Sequence, residues 1–339
     1  MVNRADSLVN EGKVNIAIVG LGAVSKFQLS ALRNIPSFKL TAVCDRDPSK
    51  NVAPEVPFYE SVEDMLDSSN DIDVVLVSVP THAHYSVGKV VLEKGKHLLI
   101  EKPAAETVSQ FNDLIKISME NKRMLEFALH FRYSEDVIWL RSHLEGLKSG
   151  YGAINGFYTS FNDPYFSSGK LFPEAASLSG SWLDSGINAL SCLADLISDI
   201  KFQDGTTTRF QGVDVQSNAF FTFKLEGNER GYGSINTNWT NGSRAKSTKL
   251  FFSDGLTEIE LDHTDHSVKL HRNGETKVMF ESPRNENRLT QHYIHVFNEF
   301  LKDYRQQKTN LEFSRLVHLL LFSAMRSEDG GRISNGAKI

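Results

Sequence analysis

A short β-branched run, Val14 to Val19, ends on Gly20-Leu21-Gly22-Ala23-Val24-Ser25, and a helical pattern follows directly through Leu32. That order constrains the fold more than any other feature of the chain. Gly20 lets the strand turn sharply, Gly22 lets phosphates approach the backbone, and the new helix offers unpaired N–H groups to an anion. The third fingerprint position is Ser25, small enough to keep the helix close to the sheet. A second strand-like run, Phe38 to Cys44, delivers Asp45 about 20 residues on, where an acid accepts hydrogen bonds from an adenosine ribose and repels a 2′-phosphate. Strand, loop, helix and acid together predict a dinucleotide site preferring NAD, and Arg46 beside Asp45 keeps NADP open. The expected cofactor contacts here are Gly20, Gly22, Ala23, Val24, Asp45 and Arg46.

The alternation continues. Strand patterns at Asp73–Val79, His97–Ile100 and Met124–Leu129 alternate with helical ones at Val62–Asp67, Tyr85–Lys94 and Thr107–Asn121, which predicts a doubly wound parallel α/β sheet. After about Gly150 the texture changes. Strand runs follow one another at Ile154–Phe161, Ser217–Leu225, Arg230–Trp239, Ser247–Phe252, Thr257–Leu261, Ser267–His271 and Lys277–Phe280. Turns such as Glu226-Gly227-Asn228 and Arg272-Asn273-Gly274 separate several of them, the mark of an antiparallel sheet. Helical patterns appear at Leu183–Ile197, Gln291–Asp303 and Ser314–Arg326. The expected organisation is a lead-in over 1–13, a Rossmann domain over 14–135, and an α+β substrate and oligomerisation domain with a large, mainly antiparallel open sheet over 136–339.

Composition narrows the function. With 339 residues the chain is long enough for two cores. A net charge of −5 gives no sign of a basic face, so no nucleic-acid partner is expected. No apolar run reaches the length of about 18 residues that a membrane span needs. The two cysteines, Cys44 and Cys192, sit in apolar stretches and suggest a reducing, cytoplasmic compartment. His82 and His84 lack a third ligand nearby in sequence, so no metal is expected. His263 and His266 fall in a polar turn and read as solvated.

Two further stretches carry a resemblance. Val79-Pro80-Thr81-His82-Ala83-His84 leads through a helix to Glu101-Lys102-Pro103, and Trp182-Leu183-Asp184-Ser185-Gly186-Ile187-Asn188 opens a helix in the second half. With the glycine loop, these resemble the glucose–fructose oxidoreductase / inositol dehydrogenase / rhizopine-catabolism family, over about residues 14 to 327. The resemblance implies cofactor contacts from Pro80, Thr81, His84, Glu101 and Lys102, and a lysine beside nicotinamide and substrate. That family usually carries Asp-x-x-x-His on the first helix of the second domain. Here the histidine is replaced by Asn188. The stretch Gly186 to Ser191, with His130 in Leu129-His130-Phe131-Arg132 and Trp239 in Asn238-Trp239-Thr240, is similar to the subgroup of aldose 1-dehydrogenases.

The implied activity is NAD(P)-dependent oxidation of the C1 hydroxyl of an aldose of D-galactose or L-arabinose type to the lactone. The alternatives are oxidation of a secondary ring hydroxyl, as in an inositol, or a sugar-sensing regulator without turnover. Alcohol oxidation needs a hydride acceptor and a group for the hydroxyl proton. The expected catalytic residues are Lys102 and Asp184 as a proton-handling pair, with Asn188 orienting the hydroxyl. His130, Asn188 and Trp239 are the expected substrate contacts, Trp239 as an apolar wall for a sugar ring. Asp184 has a second, lesser reading as a helix cap, and His130 and Trp239 read equally as core residues. A homo-oligomer, by default a dimer, follows from the resemblance.

Overall fold

The computed structural model describes residues 12–68, 71–225, 229–283, 287–309 and 311–325. Most of the expected lead-in and the Glu226-Gly227-Asn228 turn lie outside the described residues. The first sheet has six parallel strands: β1 (Val14–Val19), β2 (Phe38–Cys44), β3 (Phe58–Tyr59), β4 (Val74–Val77), β5 (His97–Glu101) and β6 (Leu125–Ala128). Their order, β3-β2-β1-β4-β5-β6, is that of a dinucleotide-binding sheet. β4 reads Val-Val-Leu-Val and every residue is buried, as a central parallel strand covered on both faces requires. Helices α1 (Ser25–Arg33), α2 (Val62–Asp67), α3 (Thr81–Glu93) and α4 (Val108–Glu120) are the crossovers. α3 begins four residues earlier than Tyr85, because Pro80 is preset for a helix start.

A helix that periodicity reading passed over, α5 (Glu135–Tyr151), leads out of this domain. The second sheet comprises β7 (Ile154–Asn162), β10 (Lys201–Phe210), β11 (Val213–Lys224), β12 (Arg230–Asn238), β13 (Ala245–Phe252), β14 (Thr257–Asp262), β15 (Ser267–Arg272) and β16 (Glu275–Glu281), and the short hairpin β8 (Phe166–Ser167)–β9 (Lys170–Leu171) stands apart. The order is β10-β11-β12-β7-β13-β14-β15-β16. All neighbours are antiparallel except β12 and β7. The expected turn at Asn273-Gly274 is present, with φ of 53° and 80°, the left-handed pair a tight hairpin needs. β10 escaped the sequence reading because Lys-Phe-Gln-Asp-Gly-Thr-Thr-Thr carries little apolar alternation, as befits an edge strand.

The last two helices return to the first domain. α7 (Arg288–Gln306) packs Tyr293, Val296, Phe297 and Phe300 against Val14, Ile16 and Phe38. α8 (Glu312–Met325) stacks His318 on Phe111 of α4, with centroids 4.5 Å apart. Residues within 136–339 therefore complete the core of the Rossmann domain. Both cysteines are free and buried. Among the described residues no helix is long and apolar enough to cross a membrane.

Candidate active site

The glycine loop has the shape its sequence demands. Gly20 adopts φ +96°, and a Cβ there would lie 2.5 Å from the Ser78 carbonyl carbon. Only glycine fits that approach of β1 to the end of β4. A Cβ on Gly22 would meet nothing within 4 Å, so its backbone borders open space at the start of α1. Ser25 Oγ donates to the Gly22 carbonyl (2.8 Å) and closes the turn. Asp45 reaches back: Oδ2 accepts from the Leu21 N–H (2.8 Å) and Oδ1 from the Asp47 N–H (3.0 Å). One edge of the carboxylate thus braces the loop that approaches the phosphates. Lys50 Nζ lies 3.6 Å from Asp45 Oδ1, a cation that the sequence reading overlooked. Arg46 and Ala23 are exposed and Val24 half-buried around the same opening. An open backbone at a helix N-terminus, next to an anchored acid, fits a dinucleotide.

Two expected cofactor contacts instead turn inward. Glu101 is buried; Oε1 accepts from Tyr293 Oη (2.5 Å) and Gln28 Nε2 (2.8 Å), tying β5 to α7 and α1. Burial pushes its carboxyl above the usual range, opposed by those donors and by Lys102. His84 is buried between two carbonyls, Pro103 O (2.6 Å from Nδ1) and Val79 O (2.8 Å from Nε2). Burial lowers its pKa while both carbonyls pull it up. Each side chain spends its polar atoms on the scaffold, so both act as supports beneath the site. Pro80 and the buried Thr81 start α3 beside them.

Lys102 follows on the β5 side, before a cis peptide to Pro103. Its Nζ donates to Asp184 Oδ1 (2.7 Å) and to the Asp184 carbonyl (3.0 Å). The two side chains retain 11% and 13% exposure, so the pair is shielded yet open to a small ligand. Asp184 lies in a wide, π-type turn, Trp182–Gly186, that leads into α6 (Ile187–Leu193). Such turns recur at functional sites. Asp214 holds this one, accepting from the Trp182 N–H (2.7 Å) and Ser181 Oγ (2.9 Å). Gly186 is required because a Cβ would sit 2.7 Å from the Trp182 ring.

Asn188 is brought to the pair, but its amide is partly spent. Nδ2 donates to the Asp184 carbonyl (3.1 Å), while the buried Oδ1 has no partner among the described residues. Beyond Asp184 the polar chain continues: Ser185 Oγ donates to Asp163 Oδ2 (3.2 Å), which also pairs with Lys246 Nζ (2.9 Å). Arg244 Nε holds Asp163 Oδ1 at 3.2 Å. Asp163, Arg244 and Lys246 were not singled out from sequence; Asp163 directly follows β7, and Arg244 and Lys246 stand at the start of β13. Tyr165 also feels Asp184, and burial raises its phenol pKa.

Trp239 is fully buried, edge-on to Tyr165 with centroids 5.2 Å apart. Its ring offers no open face to a sugar here. His130, in a 3-10 turn (His130–Tyr133) after β6, is buried with Nδ1 unpartnered among the described residues. His263 and His266 correct the sequence reading: both are buried, His263 bonded to Asp136 and Thr248. The loop that looked polar is covered by α5, whose Asp136 needs an imidazole partner in the core. Among the described residues one three-ligand cluster has metal-like spacing, Glu258, Glu260 and His271, and Lys249 already occupies Glu258 (2.7 Å). His82 and His84 are not in it.

Comparison with known proteins bears on the N-terminal domain and on the fold. A glycosyl hydrolase family 109 protein of Phocaeicola vulgatus is 30% identical over 128 residues, 34% of this chain and 24% of that protein. An inositol 2-dehydrogenase of Salmonella typhimurium is 26% identical over 141 residues, 39% of this chain and 42% of that protein. The chain therefore spans less than half the length of these relatives. An oxidoreductase from Agrobacterium radiobacter, solved with NAD+, L-tartaric acid and magnesium, shares the fold, with a TM-score of 0.77 at 14% identity over 94% of this chain and 97% of that one. Residues 14–128 match the family model described as an oxidoreductase family with an NAD-binding Rossmann fold.

Proposed function

We propose that the chain is an NAD(P)-dependent dehydrogenase that oxidises the C1 hydroxyl of an aldose to the lactone. The single observation carrying this reading is the shielded Lys102–Asp184 pair at the mouth of the cofactor domain, with Asn188 hydrogen-bonded to the same turn. A bound nicotinamide would supply the hydride acceptor. Gly22, Ala23 and Val24 would hold the pyrophosphate through backbone N–H groups, and Asp45 the ribose. Lys102 orients the hydroxyl, and Asp184 accepts the proton. Asn188 positions the substrate oxygen with an amide that does not titrate.

A second reading, oxidation of a secondary ring hydroxyl, is favoured by the inositol 2-dehydrogenase relative and uses the same pair. The exposed aromatics Tyr158, Phe220, Tyr232 and Phe251 lie on adjoining strands of the open sheet face, which supports homodimer pairing there. The two free, buried thiols fit a cytoplasmic setting.

The test is an initial-rate screen of pentoses, hexoses and inositols with NAD and NADP, beside Lys102→Met. Removal of a positioned proton-handling group lowers turnover by about 10²–10⁴. Dinucleotide binding, read by calorimetry, stays intact. Turnover within about threefold of the parent in a folded variant removes Lys102 from the chemistry.

A further inference from the structure

Three buried imidazoles, His130, His292 and His266, form a row that the proposed chemistry does not otherwise use. His130 stacks on His292 of α7 with ring centroids 5.9 Å apart, and His292 meets His266 at 5.7 Å. His266 Nδ1 lies 3.4 Å from Glu135 Oε2, whose side chain is 31% exposed and accepts from Ser282 Oγ (2.8 Å). The turn that carries His130 packs on α6, the helix of Asn188, where Cys192 Sγ donates to the Phe131 carbonyl (3.8 Å), and the far end of the row reaches the surface.

Its polar atoms are not accounted for by packing. His130 Nδ1, both ring nitrogens of His292, His266 Nδ1 and Asp136 Oδ1 are buried and have no hydrogen-bond partner among the described residues. A dry core would replace such groups by apolar ones, because each unpaired buried nitrogen is costly. Centroid spacings near 6 Å are a ring-to-ring step that a single water spans.

Charged groups flank both ends of the row. Lys102 and Lys246 face His130. His292 is faced by His266, Asp136, His295 and Arg288. His266 is faced by Asp136, Glu135, Arg288 and His263. The lysines at the inner end are each paired with a carboxylate, Asp184 or Asp163, and at the outer end two carboxylates are offset by Arg288. Burial keeps the three rings below the ordinary histidine range, so each holds one N–H and one lone pair, able to accept a proton on one nitrogen while releasing one from the other.

We propose that His130, His292 and His266 form a proton relay from the Lys102–Asp184 site to Glu135 at the surface. The inference rests on the dehydrogenase reading. In that reaction the substrate C–H bond gives its electron pair and hydrogen to an NAD-type acceptor, and the O–H bond gives its proton to Asp184. The proton then leaves through the relay, and every ring returns to neutrality with its tautomer exchanged.

Two measurements separate this inference from the reading beneath it. The first needs no substrate: long-range 15N–1H spectra of histidine-labelled protein saturated with NADH. The relay requires His292 and His266 to average between tautomers. A single locked tautomer at either ring overturns it, even if a sugar is oxidised. The second is steady-state turnover of His292→Phe, with His266→Gln as the second variant if the first fails to fold. The expected result is a loss of roughly tenfold or more in kcat, partly restored by added imidazole, with KM and NADH affinity unchanged. Turnover equal to the parent in a folded variant overturns the relay. A parent protein that oxidises no sugar refutes the dehydrogenase reading instead, and the spectra still decide whether the rings exchange.

Discussion

His318 offers the sharpest quantitative prediction, because its two ring nitrogens tie α8 to the segment that carries Lys102. Nδ1 lies 2.7 Å from the Ser314 carbonyl and must donate to it; Nε2 accepts from the Ala104 N–H at 3.2 Å. Only the neutral ring satisfies both. Burial pushes the pKa down to about 4, against 6.5 for the free group. A depressed histidine pKa means the unfolded chain binds the proton first, so the contribution is complete above about pH 6.5 and is lost as pH falls toward 4. The full span corresponds to about 3 kcal/mol, of which about 2 kcal/mol disappears between pH 7 and pH 5. The assay is urea unfolding at pH 7 and pH 5 for the parent and for His318→Gln, whose amide can donate to Ser314 and accept from Ala104. The parent is expected to lose about 2 kcal/mol more than the variant over that interval. Equal pH dependence in the two proteins would falsify the assignment of a neutral, doubly bonded His318.

The remaining predictions concern the site and the sheet. Asp45→Ser should narrow the preference for NAD over NADP, since like-charge repulsion at a partly shielded 2′-phosphate is worth about 1–3 kcal/mol; a parent protein tenfold better with NADP, by the marker of about 1.4 kcal/mol per decade, contradicts the ribose role. Asn188→Ala should lower kcat/KM by about 1–3 kcal/mol, the value of a lost hydrogen bond to a reacting group, without altering the shape of the pH–rate profile. Normal kinetics with reduced thermal stability would leave Asn188 as a bracket for the Asp184 turn. Sedimentation should show a dimer that Tyr232→Glu with Phe220→Glu converts to monomer; a monomeric parent at micromolar concentration refutes pairing through the open sheet face.

The sequence by itself determined the cofactor domain. β1, the glycine loop, α1 and the acid after β2 are contiguous, and each needs only its own residues to declare its conformation. The Glu101-Lys102-Pro103 and Asp184–Asn188 stretches marked the two halves of a site, but not that Lys102 and Asp184 meet at 2.7 Å, which the docking of the second domain decides. α5 was passed over although Val137, Leu140, Leu144 and Leu147 share one face, because aromatic and charged residues interleave with them. Glu101 and His84 looked like ligand contacts, and the partners that turned them inward, Tyr293 and Pro103, lie on other elements or across a turn. Trp239 and His266 show the same limit in opposite senses: one was expected at an open wall and the other in water, and both are buried. Periodicity and spacing report which local conformation a segment prefers. Whether a polar or aromatic side chain ends in solvent, in a site or in the core depends on which distant element covers it, and here α5, α7 and α8 are supplied from outside the segments they cover.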